Sequence, residues 1–159
     1  GWAANGKCTM GWFYGFKLHV IINSRGELIR LRLTAGNVDD RQPMPNLCQG
    51  LSGQLFADRG YLARWLTETL ARRNLQLITL LRKNMRPVPR TRFEKVILCR
   101  RSLIETVVDE LKNLCQIEHT LHRSLFNFLV NLMAGINAYC LSDNKPTLNL
   151  TRVNSLAKA

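Results

Sequence analysis

Acidic residues are scarce in this chain. Its 159 residues hold 11 aspartates and glutamates against 23 lysines and arginines, a formal charge of +12 with a pI near 10.2. The deficit makes an anionic partner the default, nucleic acid first, with a merely solvated basic surface as the plain alternative. Disulfide chemistry has no framework either: the five cysteines (8, 48, 99, 115 and 140) are odd in number, scattered and free of any C-x-x-C pair. That pattern reads as reduced thiols in a cytosolic compartment. An initiator Met, a signal peptide and a basic segment ahead of an apolar run are all missing, and we read the chain as a piece of a longer product that begins partway through a fold. Long apolar runs are absent as well. The most apolar stretch, Leu125 to Leu141, carries Asn127, Asn131 and Asn137 and falls short of the ~20 residues of a membrane span, so a core helix is expected there. There are no internal repeats and no low-complexity tract. What remains is 46% hydrophobic with mean hydropathy −0.11, the profile of one ordinary globular domain.

Hydrophobic alternation predicts the first elements. Phe16, Leu18, Val20 and Ile22 alternate with Lys17 and His19, the period of a half-buried strand. Asn23-Ser24-Arg25-Gly26 supplies turn chemistry, and Ile29, Leu31 and Leu33 then oppose Arg30 and Arg32, so a β-hairpin is expected. Residues 34–40 read as a loop, after which Arg41-Gln42-Pro43 open a short helix capped by an aspartate. Leu55-Phe56-Ala57 is short and continuously apolar, which suggests a buried strand. Leu62, Leu66 and Leu70 fall at i, i+4 and i+8 and predict an amphipathic helix to about Asn74, followed by a buried strand from Leu75 to Leu81. This order predicts an α/β domain with a mixed sheet flanked by helices. From Arg82 to Arg101 eight basic residues face the single acid Glu94, and Pro87 and Pro89 are expected to break any helix. A periodic helix follows from about Ser102 to Ile117, another over Leu125 to Leu141, and a polar, frayed tail after Ser142.

Two carboxylates stand out. Asp58 follows the strand expected at 55–57 and would project at the carboxyl edge of a sheet, where ligands of open α/β sheets collect. Gly60 lets the backbone turn away beside it. A plain turn or capping aspartate is the competing reading. Glu105 shares a helix face with Arg101, Asp109 and Lys112, at i, i+4, i+8 and i+11. A solvated salt-bridge ladder would have the same spacing. The basic stretch just ahead favours function, since a phosphate drawn to Arg82, Lys83, Arg86, Arg90 and Arg92 would arrive near Glu105. Carboxylates so placed hold divalent metal against a phosphodiester, and Asp58 and Glu105 are expected to approach closely enough to share an ion. Lys17 and His19 either help bind DNA or form the wet side of their strand. Trp2, Trp12 and Trp65 are either core or stacking residues. Cys115, His119 and His122 allow a zinc reading, but with no fourth ligand and no familiar spacing.

The same neighbourhoods resemble the DDE transposases of bacterial insertion sequences. That family carries Tyr, two residues, Arg, three residues, Glu, six residues, Lys; here Arg101, Glu105 and Lys112 keep the spacing while Leu98 stands in for the tyrosine. Phe56-Ala57-Asp58-Arg59-Gly60-Tyr61 is similar to the family's second-aspartate motif. Tyr14-Gly15-Phe16-Lys17-Leu18-His19 is similar to its Tyr-Gly-x-Lys-x-His strand, and residues 35–40 to the loop after that strand. The resemblance spans about residues 12 to 140. It implies a ribonuclease H-like fold and DNA transposition, with Mg²⁺ or Mn²⁺ held by Asp58 and Glu105 as catalytic metal ligands. Arg101 and Lys112 would neutralise phosphate charge. The implied partner is double-stranded DNA, at element ends and target, with homo-oligomers on DNA left open. The implied place is the bacterial cytoplasm, at the nucleoid and not in a membrane.

The resemblance also implies a first catalytic aspartate on a strand upstream of Tyr14, and residues 1–13 contain no acid. The chain is therefore expected to lack the first strand and first metal ligand, and to cut no DNA alone. Asp39 and Asp40 match a structural-looking loop position instead. Residues 1–142 would be a partial catalytic core and 143–159 a polar tail. A non-catalytic DNA-binding remnant of a disrupted transposase, or a ribonuclease H-like nuclease, are the alternatives.

Overall fold

The computed structural model describes residues 3–8, 11–81, 83–118, 122 and 124–151. Strands β1 (Ala4–Cys8), β2 (Gly11–Ile22) and β3 (Leu28–Ala35) form an antiparallel sheet in that order. The expected hairpin is β2–β3, with Leu18 opposite Leu33 and Val20 opposite Leu31. Its turn closes because the Asn23 side-chain oxygen accepts from the backbone N–H groups of Arg25 and Glu27, at 2.9 and 3.1 Å. Gly26 completes it at φ +70°, and a Cβ there would sit 2.3 Å from the Pro146 carbonyl oxygen. Strand β1 and the extension of β2 back to Gly11 were not legible, since Trp12, Phe13 and Tyr14 put aromatics on both faces and erase the alternation.

Both faces of this sheet are covered in part. His19 and Ile21 are buried, where α1 (Met44–Leu47) and α2 (Arg64–Ala71) bring Met44, Leu47, Leu66 and Leu70 into one core with Ile21. The face carrying Lys17 and His19 is therefore not a wet face. Helix α1 starts at Pro43 without a side-chain cap. The expected aspartate cap is not formed: Asp39 accepts from the Arg41 backbone N–H at 2.9 Å and closes the turn ahead, and Asp40 accepts from Lys17.

Strands β4 (Gly53–Ala57) and β5 (Leu75–Thr79) pair in parallel, joined through a 3₁₀ turn at Arg59–Tyr61 and α2. This β-α-β unit needs a crossover because parallel strands cannot be joined by a tight turn. β5 is buried at four of its five positions, whereas β4 is at most half-buried. The expected single mixed sheet is thus two sheets, one antiparallel and one parallel. Among the described residues, β2 beyond Gly15 has no strand on the edge away from β3, and β4 pairs only with β5.

The helices that follow among the described residues are α3 (Arg92–Cys99), α4 (Ser102–Asn113) and α5 (Leu125–Leu141). The first lies inside the stretch expected to be helix-free. Pro87 and Pro89 stop short of it, and Thr91 with Glu94 forms a reciprocal capping box that starts it. Helix α4 ends at Asn113 rather than Ile117, because Gln116 adopts φ +53°. Helix α5 has the expected bounds, but it is not wholly core. Leu132, Gly135, Ile136 and Tyr139 are buried, while Phe126, Val130, Met133 and Leu141 are exposed. Tyr139 donates to the Gly26 carbonyl at 2.7 Å and so ties α5 to the hairpin turn. The polar segment after α5 is docked where fraying was expected: the Leu148 N–H donates to Ser24 at 2.7 Å. No helix among the described residues is long and apolar enough to cross a membrane.

Candidate functional site

Asp58 stands where β4 ends, at the residue that precedes the 3₁₀ turn. It has extended backbone angles and an exposed carboxylate. The strand delivers it to the carboxyl end of the parallel pair, and Gly60 sits in open space within the turn. The Arg59 backbone N–H and, after it, the Arg101 guanidinium hold its carboxyl below the usual carboxylate range. Arg101 comes from the residue preceding α4 and donates directly to the Asp58 carboxylate. Residues 43 apart in sequence are thereby joined, and the end of β4 meets the start of α4.

Glu105 lies in the first turn of that helix. It is exposed, and its carboxylate has no hydrogen bond or ion pair among the described residues. A carboxylate there also complements the helix dipole. Lys112, in the last turn, pairs with Glu118 at 2.8 Å. The Arg101–Glu105–Lys112 spacing thus falls on one helix, with its first residue against Asp58.

The basic stretch divides. Arg82 lies outside the described residues. Lys83 and Arg86 are exposed in the loop after β5, and Arg92 is exposed at the start of α3. Arg90 is not a free surface cation: it is half-buried and donates to the Thr79 carbonyl at the end of β5. Glu94, the acid of that stretch, is buried, caps α3 and accepts from Gln54 of β4 at 3.3 Å. Nothing in charge counting signals these two anchoring roles; only the Thr91-x-x-Glu94 spacing could have flagged the second.

Lys17 donates to the Val38 carbonyl and to Asp40, both at 2.9 Å, and pins the 36–40 loop. His19 hydrogen-bonds Thr34 Oγ1 at 2.8 Å, and burial pushes its pKa down. Asp39 is held by Arg41, whose hydrogen bonds drive its carboxyl far below the usual range. Both loop aspartates are committed to cations, as their structural-looking position suggested. Cys115 is half-buried and His122 exposed, while His119 lies outside the described residues.

Asp58 and Glu105 are hard oxygen donors of the kind Mg²⁺ and Mn²⁺ prefer. No group of three or more His, Cys, Asp or Glu that could hold a metal occurs among the described residues. The donor chemistry fits a hard divalent ion, which commonly takes one or two carboxylates and completes its shell with water and substrate phosphate.

A family model described as a transposase DDE domain matches residues 1–125. No curated protein and no solved structure matches the chain.

Proposed function

The chain belongs to the transposase DDE-domain family, and from that premise we propose that it forms part of a catalytic core that cuts and joins DNA at insertion-sequence ends. The observation that carries this reading is the contact of Arg101 with Asp58, which links the two segments bearing the carboxylates across the fold. Asp58 and Glu105 would hold the divalent ion, Mg²⁺ or Mn²⁺. When bound, such an ion lowers the pKa of the attacking oxygen and offsets charge on the phosphodiester. Arg101 would exchange its carboxylate for a phosphate oxygen as DNA arrives, and its exposure makes that exchange inexpensive. Lys112 would do the same from its pair with Glu118. Lys83, Arg86 and Arg92 would receive the flanking duplex, with Arg82 beside them in sequence.

The fold is read as ribonuclease H-like, with residues 1–142 as core and 143–159 as tail. What supports this is the pair of open edges on β2 and β4, which a further strand would bridge into one sheet. Oligomers on DNA and a nucleoid location follow from the same reading. The experiment is cleavage of end-bearing DNA by the whole product with Mg²⁺ or Mn²⁺. Loss of cleavage, with DNA binding retained, is expected for Asp58→Asn and for Glu105→Gln. Binding without cleavage in the wild type, unchanged by either substitution, would favour the non-catalytic DNA-binding remnant, a reading helped by Asp58 being already ion-paired.

A further inference from the structure

The two candidate carboxylates are in different states. Glu105 stands open to water, with no partner among the described residues, whereas Asp58 is taken by the Arg101 guanidinium. One guanidinium nitrogen meets one carboxylate oxygen, short of the two parallel bonds that these groups can form. Both side chains keep part of their surface in water. The ion pairs of Glu27, Asp39 and Glu68 join residues two or four apart and brace a single turn or helix. The Asp58–Arg101 pair spans 43 residues, and neither element depends on it. Arg101 caps nothing with its side chain, and its carbonyl is held separately by the Ile104 N–H at 3.1 Å. A side-chain rotation alone opens the pair.

Asp58 cannot serve two cations at once. A guanidinium on the carboxylate repels a dication beside it, and it occupies an oxygen that an octahedral ion would use. Arg101, for its part, has donors left over. A DNA phosphate can accept two of them side by side. The exposed cations Lys83, Arg86 and Arg92 precede it along the chain and favour phosphate over a bare surface.

We infer that Arg101 gates the metal site. Without DNA it holds Asp58 and keeps the affinity for a divalent ion low; DNA phosphate draws it off and frees the carboxylate. Arg101 is thus a positioning residue that acts through Asp58. The inference rests on the reading of Asp58 as a metal ligand. Coupling of this kind is reciprocal, so the ion tightens DNA binding by the same factor. An exposed pair sets the size of the effect at about two- to fivefold.

The test is Mn²⁺ affinity, read by electron paramagnetic resonance on the whole product, first without DNA and then with saturating duplex of arbitrary sequence. Without DNA, Arg101→Gln should bind Mn²⁺ about two- to fivefold more tightly than wild type, and Arg101→Lys should fall between them. Arg59→Gln is the control for charge alone, since Arg59 is exposed beside Asp58 and makes no ion pair with it; its gain should be smaller. In an Asp58→Asn background the effect of Arg101→Gln should vanish, and with duplex present wild type and Arg101→Gln should converge. Equal DNA-free affinity in wild type and Arg101→Gln overturns the gate and leaves the transposase reading standing. So does an equal gain in Arg59→Gln, a gain that persists in Asp58→Asn, or one that duplex does not diminish. Mn²⁺ affinity that Asp58→Asn leaves unchanged in both states overturns the ligand reading and the gate together.

Discussion

The two packing centres of this molecule differ in completeness. Around Leu66 and Leu70, both 0% exposed, eight buried residues from the two sheets, α1, α2 and the segment after α1 close a continuous core. Around Tyr139 the described residues contribute three, with Val107 and Leu111, and α5 leaves Phe126, Val130, Met133 and Leu141 in water. Burial of this extent predicts that stability is concentrated in the first centre. The second holds α4, and with it Arg101 and Glu105, against Ile22 and Leu28 of the β2–β3 hairpin. The two candidate carboxylates are thus divided: Asp58 lies between Ala57 and Tyr61, which pack on the first centre, and Glu105 lies on the helix of the second.

The largest expected effect tests that contrast. Leu66→Ala or Leu70→Ala should destabilise by about 2–5 kcal/mol in urea unfolding, whereas Phe126→Ser or Leu141→Ser should change stability by less than about 0.5 kcal/mol. Similar losses at both centres would erase the distinction. Next comes Tyr139→Phe, which leaves the Gly26 carbonyl without its buried donor. A loss of about 1–3 kcal/mol is expected, read as a lower urea midpoint with faster hydrogen exchange along α5. No change at either would mean that α5 is held some other way.

Proton linkage sharpens the first centre. Burial disfavours the His19 cation, with Lys17 and Arg32 adding to the effect and Asp40 opposing it, so the folded pKa lies below 6.5. The unfolded chain then binds the proton more readily. His19 contributes fully above the unfolded value near 6.5, and that contribution is lost as pH falls below it towards the folded value. Stability should therefore fall with acid in this window, with a shallower slope in His19→Gln. An identical slope in the variant would assign the titration elsewhere. The smallest effect belongs to Arg101→Gln: the pair is 37% and 66% exposed on its two sides, so a loss of no more than about 1 kcal/mol is expected. Thermal unfolding checks that figure, and a much larger shift would make the pair structural rather than functional.

Legibility in the sequence cut across this divide. The hairpin, α2 and α4 were readable because their apolar residues keep a clean period, and α5 because it is the most apolar stretch of the chain. Strand β1 and the start of β2 were not, because aromatics there occupy both faces. Helix α3 was hidden by Pro87 and Pro89 and by dense positive charge, although Thr91 and Glu94 had the spacing of a cap. The candidate carboxylates and the residue spacing around Glu105 were visible from the residues alone. That Arg101 reaches Asp58, that Arg90 holds the end of β5, and that Lys17 pins a loop all depend on contacts remote in sequence. Spacing within one helix or strand cannot report those.

The most direct measurement is Mn²⁺ binding by electron paramagnetic resonance, made on the whole product bound to DNA. If Asp58 and Glu105 are metal ligands, Asp58→Asn and Glu105→Gln should each weaken binding about tenfold or more, on the scale of one lost charge-assisted contact, while Asp39→Asn, whose carboxylate belongs to Arg41, should leave it unchanged. Equal Mn²⁺ affinity in wild type, Asp58→Asn and Glu105→Gln would contradict the account.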